Sequence, residues 1–153
     1  MKYLKTYKQI NEGLRDMMLG MDKEKAKEYI YTFKGNFQKL RKIIVYDLVW
    51  LIDEVIELIK DSEYDYQLTE QVLKLCIHEN SIKSFIHLLN NHTYLIPNEQ
   101  NKIKSIVNDI IYFKYWDFLE EFLKSDKVKD ILHEDYYHIY SNLLDTKRKW
   151  GNE

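Results

Sequence analysis

Apolar residues recur every three or four positions along most of the chain, and short polar stretches separate these runs. This period is typical of amphipathic α-helices, because side chains three and four residues apart share one helix face. Four Gly and one Pro in 153 residues are few for a sheet with many tight turns. We therefore expect an all-α protein. The predicted helices cover residues 2–19, 22–34, 36–60, 68–79, 82–90, 99–112, 116–125 and 131–148.

Polar residues and a glycine mark the expected ends of several of these helices. Asp22 is placed to cap the second helix at its N-terminus, and Gly35 is placed to end it. The run 36–60 is long enough for one helix, but Asp47 falls where a turn divides it in two. The polar segment 61–67 is expected to be a loop.

The apolar pattern repeats at intervals of 33 and then 34 residues. Three helices start at aligned positions, Val49, Ile82 and Trp116. Later apolar residues fall into three shared columns: Ile52, Phe85 and Leu119; Val55, Leu88 and Phe122; and Ile56, Leu89 and Leu123. Two residues before each start lies a turn candidate: Asp47, Asn80 and Lys114. A helix, a tight turn, a second helix and a loop thus recur at the length of a helix-pair repeat.

The segments CIHENSIKSFIHLLNN and YDLVWLIDEVIELI resemble the helical part of ankyrin repeats. The resemblance covers about residues 36–147 and implies a helix-pair solenoid of about three degenerate repeats with an N-terminal helical cap. In that family a small residue packs in the first helix and Gly forms the turn. Cys76 takes the first place here, and Asp47 or Asn80 the second. The family's Thr-Pro-Leu-His start and Gly-Ala-Asp finger are missing, so an irregular compact helical bundle is the alternative.

The length of the chain suits one domain with a substantial core. We expect an N-terminal amphipathic segment over residues 1–20 and a single helical domain over 21–153. The repeat units within that domain are expected at residues 36–67, 68–101 and 102–134, with a partial unit at 135–148.

The opening MKYLKTYKQINEG resembles the capsid-targeting propeptides of large tailed phages. Those are short amphipathic tags that begin Met-Lys, contain a Lys-Thr-Tyr-type segment and end at an Ile-x-Glu or Leu-x-Glu step. The head-maturation protease cuts after the Glu, before a small residue. The matching step here is Ile10, Glu12 and Gly13, which implies a removable tag. The alternative is a permanent helix that covers the first repeat.

Charge and hydropathy restrict the partners and the compartment. The net charge of −2 provides no basic field for nucleic acid or anionic membrane. No stretch approaches the roughly 18 apolar residues of a membrane span, and the N-terminus lacks the features of a secretory signal. We therefore expect no membrane partner and no nucleic-acid partner. The expected location is the cytoplasm, or a phage head if the N-terminal tag is real, and the chain is not expected to be secreted.

Histidine pairs and a single cysteine are the candidates for chemistry. His133 and His138 are five residues apart, as are His87 and His92, whereas two zinc ligands on one helix are four apart. Cys76 lies within an apolar helix, where a thiol is inert. Gly-rich phosphate loops, serine elbows and paired cysteine motifs are missing. We predict no catalytic residues, no cofactor, no metal and therefore a non-enzymatic protein.

Thirteen tyrosines favour a recognition surface, because Tyr buries a large area and has few rotatable bonds. The sequence therefore predicts a protein–protein interaction module whose partner is another protein, a host protein if the chain is a phage accessory protein. The alternatives are a small helical enzyme or enzyme inhibitor, and a nucleic-acid-associated phage head protein. The candidate contact residues are Tyr64, Tyr66, Tyr112, Tyr115, Tyr136 and Tyr137.

Overall fold

The computed structural model describes residues 7–62 and 68–149, and the side chains of residues 13–62 and 68–149. These residues contain no strand, so the predicted all-α class is confirmed. Short 3₁₀ helices cover Val49–Leu51 and Thr93–Leu95. The α-helices are α1 (Tyr7–Leu19), α2 (Lys23–Tyr31), α3 (Asn36–Tyr46), α4 (Ile52–Lys60), α5 (Glu70–His78), α6 (Ile82–Asn91), α7 (Gln100–Phe113), α8 (Trp116–Lys124), α9 (Asp126–Ile131) and α10 (Glu134–Lys149).

The chain folds into two compact units, residues 1–67 and 68–153. The first unit contains α1 to α4, and the second contains α5 to α10. The boundary between the units falls at the end of the polar segment 61–67, of which residues 63–67 lie outside the described part.

In the first unit, α3 packs against α1, α2 and α4. Its buried side carries Leu40, Ile43 and Ile44, none of which is accessible to solvent. A polar contact joins α1 to the end of α3, because the Arg15 guanidinium donates to the Val45 carbonyl from Nε at 3.2 Å and from Nη2 at 2.9 Å. The apolar stripe predicted for this helix therefore forms the core of the first unit.

In the second unit, α5 packs against α6 and α7 packs against α8. In addition, α5 packs against α7, α6 packs against α8, and α8 contacts α9 and α10. Between α6 and α8, the Phe85 ring lies 5.0 Å from the Phe118 ring and 6.1 Å from the Phe122 ring, measured between centroids. In both units, residues of the shared apolar columns are fully buried: Ile52 and Val55 in the first unit, and Phe85, Leu88, Leu119 and Phe122 in the second.

Three helix ends share one backbone conformation. Asp47, Asn80 and Lys114 follow α3, α5 and α7, with positive φ angles of 58°, 55° and 58°. At each end, the next residue donates its N–H to the carbonyl five positions earlier, over 2.8 to 3.2 Å. The N–H of the left-handed residue donates to the carbonyl three positions earlier. This pair of bonds is the Schellman motif. The three predicted turns are therefore confirmed, and the predicted break at Asp47 divides α3 from α4.

Replacing Lys114 with Gly is expected to raise the free energy of unfolding by up to about 1 kcal/mol. A left-handed L-residue carries roughly 1–2 kcal/mol of strain, which the entropy that Gly loses on folding partly offsets. The side chain of Lys114 is exposed, so its loss removes little packing. Urea denaturation measures the change. The control Lys129→Gly, within α9, is expected to lower the free energy by about 0.5–1 kcal/mol, and an equal loss at Lys114 contradicts the prediction.

The predicted stop of the second helix is wrong. Helix α2 ends at Tyr31 rather than at Gly35, because the Thr32 hydroxyl donates to the Tyr29 carbonyl at 2.6 Å and competes with the helical ladder. Gly35 lies in extended backbone immediately before α3. The predicted N-terminal cap is confirmed, since the Asp22 carboxylate accepts a backbone N–H of the first turn at 2.8 Å.

The predicted start of the last helix, at residue 131, is also wrong. The short helix α9 comes first, and α10 begins only at Glu134. Between them, Leu132 is extended and buried. The His133 ring accepts the Asp135 N–H at Nδ1 over 3.1 Å. This contact caps α10 in the way that a polar side chain caps a helix N-terminus.

Candidate interaction surfaces

Aromatic rings lie in successive contact on both sides of the turn between α7 and α8. The Phe113 and Tyr115 rings are stacked, with centroids 5.4 Å apart and planes inclined by 12°. The Tyr115 ring contacts the buried Phe118 ring, with centroids 5.4 Å apart. The Tyr112 ring meets the Phe113 ring edge-on, with centroids 5.2 Å apart. The outermost of these side chains is Tyr112, which is 80% exposed. We call Tyr112, Phe113 and Tyr115 the aromatic turn cluster.

A band of polar contacts joins α5 to α7 beside this cluster. The Asp109 carboxylate lies 3.8 Å from Lys74 Nζ and 3.5 Å from His78 Nε2. Lys74 also donates to the Ser105 hydroxyl at 2.7 Å. The His78 ring meets the Phe113 ring edge-on at 5.3 Å, which connects the band to the aromatic turn cluster. Aromatic residues are enriched at recognition surfaces and charged residues lie mainly at the rim of such surfaces, so the band borders the aromatic turn cluster as a polar rim.

The tyrosines of α10 are held within their own unit. Lys104 Nζ lies 3.8 Å from the centre of the half-buried Tyr136 ring, a cation–π contact. The half-buried Tyr137 hydroxyl donates to the Leu123 carbonyl at 3.5 Å. Burial raises the pKa of the neighbouring Tyr140. Of the four candidate tyrosines in the described residues, Tyr112 is thus the one that is mostly free of packing. Tyr64 and Tyr66 lie outside the described residues.

The first unit contains a groove that the sequence did not predict. Its volume is about 530 Å³. Apolar side chains of α1 form one wall, a mixed stripe of α2 forms the other, and one tyrosine of α3 reaches it. The described lining residues are Leu14, Met17, Met18, Met21, Lys25, Glu28, Tyr29, Thr32 and Tyr46. Three methionines within five residues are the one signal in the sequence, because flexible Met side chains are frequent at binding surfaces.

Two tyrosines that line the groove, Tyr29 of α2 and Tyr46 of α3, lie close together. The Tyr29 ring meets Phe33 edge-on at 5.5 Å and lies 6.2 Å from the Tyr46 ring. Burial, followed by a hydrogen bond with Tyr29, raises the pKa of Tyr46 to about 12. The Tyr46 hydroxyl therefore stays neutral in ordinary buffers.

No protein-family model, curated protein or solved structure matches the chain. The functional argument therefore depends on the geometry of these surfaces.

A second polar cluster joins α2 to α4. The Tyr31 hydroxyl donates to Glu54 Oε2, and Lys27 Nζ lies 2.9 Å from Glu54 Oε1. Burial and the Glu54 hydrogen bond raise the pKa of Tyr31 to about 12. The bond from Tyr31, and then the bond from Lys27, lowers the pKa of Glu54 below 4.5. The cluster holds two helices of the first unit together and provides a measurable effect of pH.

Acidification is expected to remove the contribution of Glu54 to stability. Because its folded-state pKa is lowered, the contribution is complete above about pH 4.5 and is lost as the pH falls through the folded value. The carboxylate is 45% exposed and screened, so the loss is expected to be below about 1 kcal/mol. Urea denaturation at several pH values measures it. In Glu54→Gln, the free energy of unfolding is expected to fall less steeply with acidification than in the wild type, whereas Glu57→Gln is expected to behave like the wild type. An equally steep fall in Glu54→Gln and wild type contradicts this prediction.

The candidate histidines and the cysteine lie in distinct surroundings. His138 Nε2 is 3.4 Å from the Glu134 carboxylate, a contact within one turn of α10. The His87 and His92 rings are 5.8 Å apart, and His92 Nδ1 lies 3.0 Å from the Tyr94 hydroxyl. Cys76 is fully buried, as the apolar pattern predicts.

The candidate cleavage step lies within α1. Ile10, Glu12 and Gly13 are all helical in backbone conformation. A side chain at Gly13 has open space, since no atom lies within 4 Å of a Cβ built there. A protease that reads an extended segment therefore has to unwind α1 locally, and cleavage after Glu12 stays a prediction.

Among the described residues, the helices fall short of the combined length and apolar character that crossing a bilayer requires.

Proposed function

We propose that this protein is a non-enzymatic protein–protein interaction module. Its contact surface is the exposed side of α5 and α7, which ends at the aromatic turn cluster. The observation that carries the proposal is Tyr112, a large side chain that is 80% exposed although its ring contacts a packed aromatic row. Tyr is among the residue types that dominate binding energy in interfaces.

The same proposal includes a helix-pair solenoid of the ankyrin-like kind. The identical turns at Asp47, Asn80 and Lys114 support it, since they recur after 33 and 34 residues. In residues 68–149, the packing of α5 against α7 and of α6 against α8 supports it as well, because solenoid repeats contact their neighbours in this order. In such an arrangement α5 and α7 are the first helices of successive pairs, and they form one continuous surface.

The chemistry of the surface indicates what its partner offers. Tyr112 needs an apolar pocket with a polar group near the hydroxyl, because the ring is apolar and its tip is polar. The adjacent polar band presents Lys74, Asp109 and His78 in mutual contact. A partner with its own charged pair can form ion pairs with this band. An extended apolar partner removes water from these charges and provides no replacement, which costs free energy. The partner is therefore expected to have a mixed surface with one aromatic-binding pocket.

Affinity capture with three forms of the protein tests the function. The wild type is expected to retain a specific partner protein from an extract of the cells in which it acts, and Tyr112→Ala is expected to bind that partner at least about 30-fold more weakly, the size of a hot-spot residue. The matched control is Tyr94→Ala, because Tyr94 is 45% exposed in the same unit. Its affinity is expected to stay within about threefold of the wild type. Equal affinities of wild type and Tyr112→Ala contradict the proposed surface.

A further inference from the structure

The groove between α1 and α2 exposes large apolar side chains. Met17 is 56% exposed, Tyr29 is 40% exposed and Leu14 is 37% exposed, and all three line the groove. Covering a contiguous apolar surface removes it from water, which favours association. The groove lies wholly within the first unit and is therefore independent of the surface to which the proposed function is assigned.

Two charged side chains lie on the α2 wall of this groove. Lys25 and Glu28 are three residues apart on one helix, and both line the groove and are exposed. Neither forms an ion pair or hydrogen bond with another of the described side chains. The groove therefore carries one positive and one negative group, each with its charge available, next to an apolar wall.

This order of charges is self-complementary. A two-fold axis midway between Lys25 and Glu28 places the α2 helices of two copies antiparallel, and each Lys25 then meets the Glu28 of the other copy. The same rotation sets the apolar α1 wall of one copy against the α1 wall of the other, because a two-fold interface uses one surface twice. An unrelated partner has to supply both the apolar surface and the reversed charge order, whereas a second copy supplies both by symmetry.

We propose that the α1–α2 groove is the interface of a symmetric homodimer, in which two copies of Lys25 and Glu28 pair reciprocally. Met17 and Met21 fill the space between the helices, since unbranched Met side chains adapt to an irregular surface. The resulting dimer carries two copies of the Tyr112 surface. Such a dimer is bivalent toward a partner that itself has more than one binding site.

Charge reversal tests the pairing in the full chain. Analytical ultracentrifugation over a wide range of concentrations is expected to show a monomer–dimer equilibrium for the wild type. In a dimer of Lys25→Glu or of Glu28→Lys, both reciprocal contacts between positions 25 and 28 join like charges. Each variant is therefore expected to weaken the dimer by roughly tenfold or more. An equimolar mixture of these two variants is expected to form a heterodimer about as stable as the wild-type dimer, because opposite charges meet again.

Two further variants separate this interface from general effects. Lys34→Glu changes the net charge by the same amount at an exposed position outside the groove lining, and it is expected to dimerise like the wild type. Met17→Glu places a charge in the apolar wall and is expected to weaken the dimer by roughly a hundredfold. Circular dichroism of each variant confirms that it is folded. The proposal is overturned if the wild type is monomeric, even where the monomer binds an unrelated helix. It is also overturned if the dimer is insensitive to all three groove variants, or if the mixture of charge-reversed variants fails to associate.

Discussion

Replacing Phe85 with Ala is expected to lower the free energy of unfolding by about 3–5 kcal/mol. The ring is fully buried and lies 5.0 Å from Phe118 and 6.1 Å from Phe122, between centroids. Truncation removes this apolar area from the core and leaves a cavity lined by rings that cannot fully close it. The loss is expected to be larger than for any surface variant, because it disrupts the packing of α6 against α8.

Urea denaturation, monitored by circular dichroism, measures this loss. The matched control is Tyr112→Ala, which removes a ring of similar size from the surface and is expected to change stability by less than about half a kcal/mol. Leu88→Ala, one turn further along α6 and also fully buried, is expected to cost about 2–5 kcal/mol. Losses below half a kcal/mol at both Phe85 and Leu88 contradict the packing described for the second unit.

The second large effect concerns the thiol of Cys76. The side chain is fully buried within α5, so a thiol reagent reaches it only when the protein opens. With a typical stability of at least about 5 kcal/mol, the reaction is expected to be at least about 10³-fold slower in the folded protein than in urea. Phe85→Ala is expected to accelerate it in the folded state by the factor that corresponds to its loss of stability, about 100-fold or more.

Absorbance of the reagent product over time gives both rates. The single cysteine makes the assay unambiguous, since no other thiol contributes. A folded protein that reacts as fast as the unfolded one contradicts the burial of Cys76. An unchanged rate in Phe85→Ala shows instead that the thiol is exposed by a local opening of α5 that does not involve the core around α6.

The three turns were predictable because two independent signals coincide. The apolar period ends and restarts around Asp47, Asn80 and Lys114, and these positions are 33 and 34 residues apart. Asn and Asp tolerate the left-handed conformation, but Lys has no such preference. Lys114 was predicted only from its place in the repeat, and the backbone hydrogen bonds of the helix end hold it in this conformation.

Other features depend on contacts that the sequence pattern does not encode. Gly35 signals a helix end, yet the side chain of Thr32 ends α2 earlier through a local hydrogen bond. Similarly, α9 is only six residues long, which is too short for the helical period to identify.

The exposure of the candidate tyrosines could not be predicted from the sequence. Tyrosine content indicates a recognition surface, but the exposed Tyr112 and the packed Tyr136 look alike in the sequence. Their difference arises from tertiary packing, because Tyr136 meets Lys104 from α7, 32 positions earlier in the chain. The groove of the first unit has the same origin, since its walls come from three different helices.

Site-specific crosslinking tests the proposed interaction surface most directly. A photoreactive phenylalanine analogue is incorporated at position 112 in one sample and at position 94 in another, and each protein is irradiated in an extract of the cells in which it acts. The account predicts one predominant adduct with a partner protein from position 112, and little or none from position 94. Equal adducts from both positions, or no adduct from position 112, contradict the claim that α5 and α7 present Tyr112 to a protein partner.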